Sequence, residues 1–147
     1  MSCYKAFSKE LYNRHDVAAK ETVKSLLKQT GYTVINEDEA YGDWDFVVER
    51  EGKPYTVEVE WKDAWKTLAF PYSTLHVCHR KRTSKADLFF QVSANHRAIA
   101  GCPMETVLRS PVIRKDTIYT KNEPFFSVPV EKFKFYDLED GVWYYTD

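Results

Sequence analysis

The sequence predicts an α/β (α+β) domain, a mixed β-sheet flanked by helices. Three observations predict it: one long amphipathic stripe near the N-terminus, a strictly alternating hairpin in the middle, and a series of short apolar strands after it.

The helix comes first. Ala19, Val23, Leu26, Leu27 and Thr30 share one helical stripe after Asp16, an N-cap candidate, and Gly31 suits the C-cap. Residues before Asp16 either extend this helix or form a short separate one. "YTVIN" at 32–36 reads as a strand. "DWDFVVER" at 43–50 is a second strand, apolar on both faces in its middle and so central in the sheet. "EGK" at 51–53 makes a turn, and 54–62 returns as the third strand of a hairpin. "DAWKTLAF" at 63–70 suggests a short helix capped by Asp63 and stopped near Pro71.

"LHVCHRKRTSK" is a strand or loop ending in a basic cluster. "ADLFFQVS" at 86–93 is a strand, joined through Asn95-His96 to another, "RAIAGCP". "METVLRS" is a short helix closed by Pro111. The remainder, with "FFSVPV" and "FKFYDLEDGVWYYTD", forms short strands and turns rich in aromatics. Phe125, Phe126, Phe133, Phe135 and Trp143 are most simply core or dimer surface, with stacking on unpaired bases as the other reading.

Composition narrows the class. A chain of 147 residues is expected to form a single domain over 1–147, with enough apolar and aromatic content (44% and 16%) to argue against disorder. No apolar run approaches a membrane span, and the N-terminal stretch does not read as a signal peptide, so no membrane partner is expected. Cys3, Cys78 and Cys102 are odd in number and widely spaced, which suggests reduced thiols and a cytoplasmic location. His76, Cys78 and His79 fit no standard zinc spacing. The formal net charge of −1 does not announce a nucleic-acid binder, although a local basic patch can be masked in the sum.

The chemistry concentrates in "DWDFVVEREGKPYTVEVEWK", residues 43–62. Strict alternation puts Val57, Val59 and Trp61 on one strand face and Glu58, Glu60 and Lys62 on the other. The charged row is either a solvated face or a metal site. Two features favour the site. Asp43 and Asp45 stand on a strand too apolar to be an edge, where aspartate is a poor fit. The hairpin also brings Asp45 towards Glu58, and clustered carboxylates must be solvated, protonated or bridged by a cation. Oxygen-only donors suit a hard ion such as Mg²⁺ or Mn²⁺.

The order helix, strand, aspartate-bearing strand, hairpin and Glu-x-charged strand resembles the PD-(D/E)XK nuclease superfamily, in particular its small Holliday-junction-resolvase-like and phage-type members. The resemblance covers roughly residues 16–93. It implies a restriction-endonuclease-like core, with Asp45, Glu58 and the carbonyl of Val59 as metal ligands. Trp44 stands where the family has proline, and Glu60 stands where it has lysine. Two registers stay open: a Glu-x-Glu variant over 58–60, which keeps the hairpin spacing and is preferred, or Glu60-Trp61-Lys62 with Glu58 as an extra acid. Glu60 then holds metal or acts as a base. Lys62, or Lys20 from the helix, is the amine expected to assist.

The resemblance therefore implies a Mg-dependent endodeoxyribonuclease acting on DNA, on branched or viral replication intermediates (in the host cytoplasm if viral), with a homodimer suited to symmetric cutting. The alternative is a catalytically inactive domain of the same fold that binds nucleic acid or a protein. His79, Arg80, Lys81, Arg82 and Lys85 are expected to contact phosphates.

Overall fold

The computed structural model of the chain describes residues 9–38, 44–66, 69–117 and 120–146. Helix α1 (Lys9–Gln29) starts well before Asp16, so Asp16 lies inside it and pairs with Lys20 one turn on (2.9 Å) instead of capping it. Its apolar stripe is buried: Ala19, Val23, Leu26 and Leu27 are almost fully covered. The helix ends on Gly31, whose φ of 96° suits a residue without Cβ. There the N–H of Gly31 donates to Lys28 O and that of Tyr32 to Leu27 O, which satisfies the last carbonyls.

Strands β1 (Thr33–Asn36), β2 (Phe46–Arg50) and β3 (Lys53–Lys62) form an antiparallel meander. The β2–β3 turn needs positive φ at Glu51 and Gly52 (54° and 77°). The chain then crosses over through β4 (Thr74–Cys78) and a 3₁₀ turn (His79–Thr83) before β5 (Leu88–Ser93) pairs parallel with β3. Strands β6 (Ala98–Pro103), β9 (Lys134–Glu139) and β10 (Val142–Thr146) complete a mixed seven-stranded sheet in the order β1-β2-β3-β5-β6-β9-β10. Helix α2 (Met104–Leu108) follows β6. Strands β4, β8 (Glu123–Pro129) and β7 (Val112–Lys115) form a separate antiparallel sheet in the order β4-β8-β7.

The large sheet buries both faces, by different means. α1 covers one face, packing against Phe46, Val48, Val57, Val59, Phe90 and Val92. The small sheet covers the other, where Leu75, Val77, Phe126 and Val128 meet Phe89, Ala98, Ala100 and Trp65. The α+β class is as expected, but helices do not flank both faces. The segment 63–70 is a turn and coil around a buried Trp65 and not a helix among its described residues, because the Trp65 side chain is drawn into the second core. Phe126, Phe133 and Trp143 are core residues.

Candidate functional site

The site grows out of the β2–β3 register. Phe46 pairs with Val57, and both side chains enter the core beneath α1. By alternation, the residues just before Phe46 and just after Val57 present their side chains to the opposite face. Those residues are Asp45 and Glu58. Asp45 is held in place from two sides. Its N–H donates to Val57 O (2.8 Å), and its Oδ2 accepts the N–H of Val59 (2.7 Å). The carboxylate thus substitutes for a strand partner where the ladder ends.

Two lysines converge on these acids. The Lys20 ammonium, from α1, lies 3.6 Å from Asp45 Oδ1 as well as bonding Asp16. Lys81, from the 3₁₀ turn, makes a short ion pair with Glu58. Glu60 Oε1 accepts a hydrogen bond from Gln91 Nε2 (2.8 Å) on the parallel strand, and Gln91 also donates to His76 O. Glu60 Oε2 and Gln91 Oε1 are buried without a hydrogen-bond partner among the described residues.

Burial dominates the electrostatics. It raises the pKa of Asp45, against the opposing Val59 N–H, Lys20 and Lys81; the charge of Asp16 adds to the rise. It likewise raises Glu58, where burial and the charges of Asp45 and Glu60 outweigh what Lys81 gives back. Burial alone would lower the pKa of Lys81, but Glu58, Glu60 and Asp45 together hold it above its ordinary value. The two partners of the Lys81–Glu58 pair shift upward for different reasons: burial first, then neighbouring acids, raises Glu58, whereas three carboxylates raise Lys81 against its burial. Four carboxylates (Asp16, Asp45, Glu58, Glu60) therefore face two ammonium groups (Lys20, Lys81), and the balance is negative.

The expected site residues separate into groups. Asp45, Glu58, Glu60 and Lys20 come together; Val59 enters through its N–H. Asp43 lies outside the described residues. Lys62 shares the strand face of Glu58 and Glu60 in sequence but makes no ion pair with them; it lies near His76 and Lys115. Of the basic cluster, Arg80, Arg82 and Lys85 are exposed and His79 packs its ring against Phe126. Lys81 corrects its expected role, because the 3₁₀ turn points it inward to Glu58 instead of outward to phosphate.

Lys81 and Gln91 were not foreseen as members of the carboxylate site. Gln91 carried a signal, as a polar residue between Phe90 and Val92 on a largely apolar strand. Lys81 carried none, since its partner lies 23 positions back in the chain.

Among the described residues, no group of three or more carboxylate, imidazole or thiol side chains, Asp45, Glu58 and Glu60 included, is placed to hold a metal ion. That covers His76, Cys78 and His79; Cys102 is buried and its thiol is pushed up to about 12. The donor chemistry of the row nevertheless fits a hard divalent cation. All its donors are oxygens, the net charge is negative, and Glu60 Oε2 lacks a partner among the described residues. No family model matches the chain, and no curated protein or solved structure matches it.

Proposed function

We propose that the chain is a metal-dependent endonuclease of the PD-(D/E)XK type, hydrolysing phosphodiester bonds in DNA. The observation that carries this reading is the convergence of Asp45 and Glu58 on one sheet face, at the end of the β2–β3 ladder, with Glu58 buried, Asp45 and Glu60 half-buried, and the acids in excess over their lysines. The order α1, β1–β2–β3 meander, crossover and parallel β5 supports a restriction-endonuclease-like core.

Asp45, Glu58 and Glu60 would hold Mg²⁺ or Mn²⁺, with the Val59 carbonyl as a further donor. The bound ion would lower the pKa of a water and neutralise charge on the departing 3′-oxygen. The chain's own groups do the rest. Lys81, drawn to the row by three carboxylates, takes the role of the motif lysine and stabilises negative charge developing on the phosphoryl group. Gln91 fixes one oxygen of Glu60 and leaves the other directed to a ligand or a proton. Lys20 orients Asp45 and limits its repulsion from Glu58. Arg80, Arg82 and Lys85 supply sequence-independent phosphate contacts.

The Lys81–Glu58 ion pair also favours a second reading, an inactive domain of this kind that binds nucleic acid or protein, since the pair neutralises an acid that a metal would need. The two readings part in one assay. Plasmid, nicked and branched DNA are incubated with purified protein in Mg²⁺, Mn²⁺ or EDTA. Cleavage with either metal, abolished by EDTA and by Asp45→Ala, supports the enzyme. Binding without cleavage under every condition overturns it in favour of the inactive domain.

A further inference from the structure

A second charged cluster lies beyond the carboxylate row, and it is basic. Lys62 ends β3, His76 is on the edge strand β4, and Lys115 ends β7. Gln91 Nε2 donates to both Glu60 Oε1 and His76 O, so Lys62, two residues beyond Glu60 on the same strand face, lies towards His76 and Lys115. The Phe125 ring on β8 underlies two of them, with the Lys115 ammonium 5.2 Å from its centroid and the His76 ring centroid 6.1 Å away. His76 Nε2 bonds Thr74 Oγ1 (3.2 Å), and its carbonyl accepts from Gln91. Neither Lys62 nor Lys115 makes an ion pair among the described residues.

This arrangement is electrostatically unfavourable by itself. Burial, then the charge of Lys62, lowers the pKa of Lys115. Burial, then Lys115 and Lys62, lowers His76 to about 4. The two lysine charges, half-withdrawn from water beside a neutral imidazole and without an ion-pair partner among the described residues, favour an anion between them. Most surface lysines avoid such a cost by turning into solvent.

The geometry points to an anion site formed by Lys62, His76 and Lys115 that binds a phosphate group. As a backbone phosphate flanking the one cleaved at the row, this assignment rests on the nuclease reading above. Strand β3 then carries both functions two residues apart, with Glu60 facing the metal and Lys62 facing the neighbouring phosphate. The mixed charge along one strand face has a use: it sets a nucleic-acid backbone in register over the acids.

The test is binding in EDTA, where cleavage does not intervene. Fluorescence anisotropy of a labelled single-stranded and a duplex oligonucleotide is measured for wild type and for Lys62→Gln, Lys115→Gln and the double variant. Inorganic pyrophosphate serves as competitor, and thermal melting confirms that each variant folds. The double variant is expected to bind either oligonucleotide about tenfold more weakly, its salt slope on duplex falling by roughly 0.9 for each phosphate that is no longer neutralised. Pyrophosphate is expected to compete with wild type and to raise its Tm but not that of the double variant. Unchanged affinity and salt slope in a folded double variant overturn the site. A response to pyrophosphate alone overturns the backbone assignment. If wild type binds in this variant-sensitive way yet cuts nothing in Mg²⁺ or Mn²⁺, the anion site stands and the nuclease reading falls.

Discussion

Two lysine–glutamate pairs link distant parts of this chain, and their carboxylates respond in opposite ways. Lys24, buried in α1, bonds Glu37 beyond β1 and Glu21 on its own helix. Glu37 is exposed, and the Lys24 hydrogen bond and charge lower its pKa. Lys81 bonds Glu58 just as closely, yet Glu58 is buried among other acids and its pKa rises. An ion pair therefore does not fix the state of a carboxylate; the water it retains and the charges behind it do. The Lys24 pair anchors a segment. The Lys81 pair leaves a carboxylate that holds a proton more tightly than an ordinary glutamate.

Activity should separate the two pairs most widely. Asp45→Ala and Glu58→Ala are expected to lower the rate of DNA cleavage by about two orders of magnitude or more, in line with loss of a metal ligand or its support. Glu37→Ala should cut like wild type. Glu60→Lys sharpens the contrast. It sets an ammonium beside Lys81 and removes the acceptor of Gln91, so it should inactivate even though it restores the motif's residue type. An active Glu60→Lys enzyme would show that Glu60 only fills the lysine's place.

Stability should separate them next. Lys81→Met leaves Glu58 buried beside Asp45 and Glu60 without its ammonium, a loss expected to cost about 3 kcal/mol at pH 7.5 in urea unfolding. The cost should shrink as pH falls, because burial makes Glu58 take up a proton more readily than an ordinary glutamate. Lys24→Met keeps an apolar stem against Phe46 and frees an exposed acid, and should cost clearly less. Equal losses for the two variants would erase the distinction.

The pH profiles differ in sign. Asp45 and Glu58 hold protons more tightly in the folded state, so their contribution to stability falls as pH rises from their ordinary values, 3.8 and 4.5, through their raised ones. Glu37 behaves in reverse: its contribution is complete above its ordinary 4.5 and is lost as pH falls through its lowered folded value. Asp45→Asn with Glu58→Gln should remove the decline above these ordinary values, and Glu37→Gln should remove only the acid-side loss. Urea unfolding between about pH 3 and pH 8 would check both slopes.

The smallest effect is expected at the exposed basic residues. Neutralising Arg80, Arg82 and Lys85 should weaken DNA binding evenly across sequences and lower the salt slope by up to roughly 0.9 for each phosphate left without its cation. Base preference should not change.

Much of this architecture was legible because it follows local periodicity. The α1 stripe, the β2–β3 hairpin and the juxtaposition of Asp45 with Glu58 need only alternation and a turn. What could not be read depended on chain return. Nothing local says that the crossover returns to the charged face of β3 and carries Lys81 to Glu58, or that Glu58 is buried there, with its pKa raised. The position of the lysines relative to the acids depends on the same return. Lys62 shares a strand face with Glu58 but extends along it to Lys115, whereas Lys81 crosses from another element. Trp65 misled the reading of 63–70, since its burial in the second core overrode a helical pattern.

The parallel pairing of β3 with β5 also orders the assembly of the site in time. The β2–β3 hairpin closes through a short turn and needs few residues fixed, so it can form rapidly. The β3–β5 pairing waits for the whole crossover through β4 and the 3₁₀ turn, and non-local pairings of this type are slow. The acids should thus meet early, with Lys81 arriving on the later segment, an order that amide-exchange labelling during refolding would check. Like-charge repulsion opposes the first step and attraction rewards the second, so conditions that screen charge should speed hairpin closure while weakening the pull that completes the sheet.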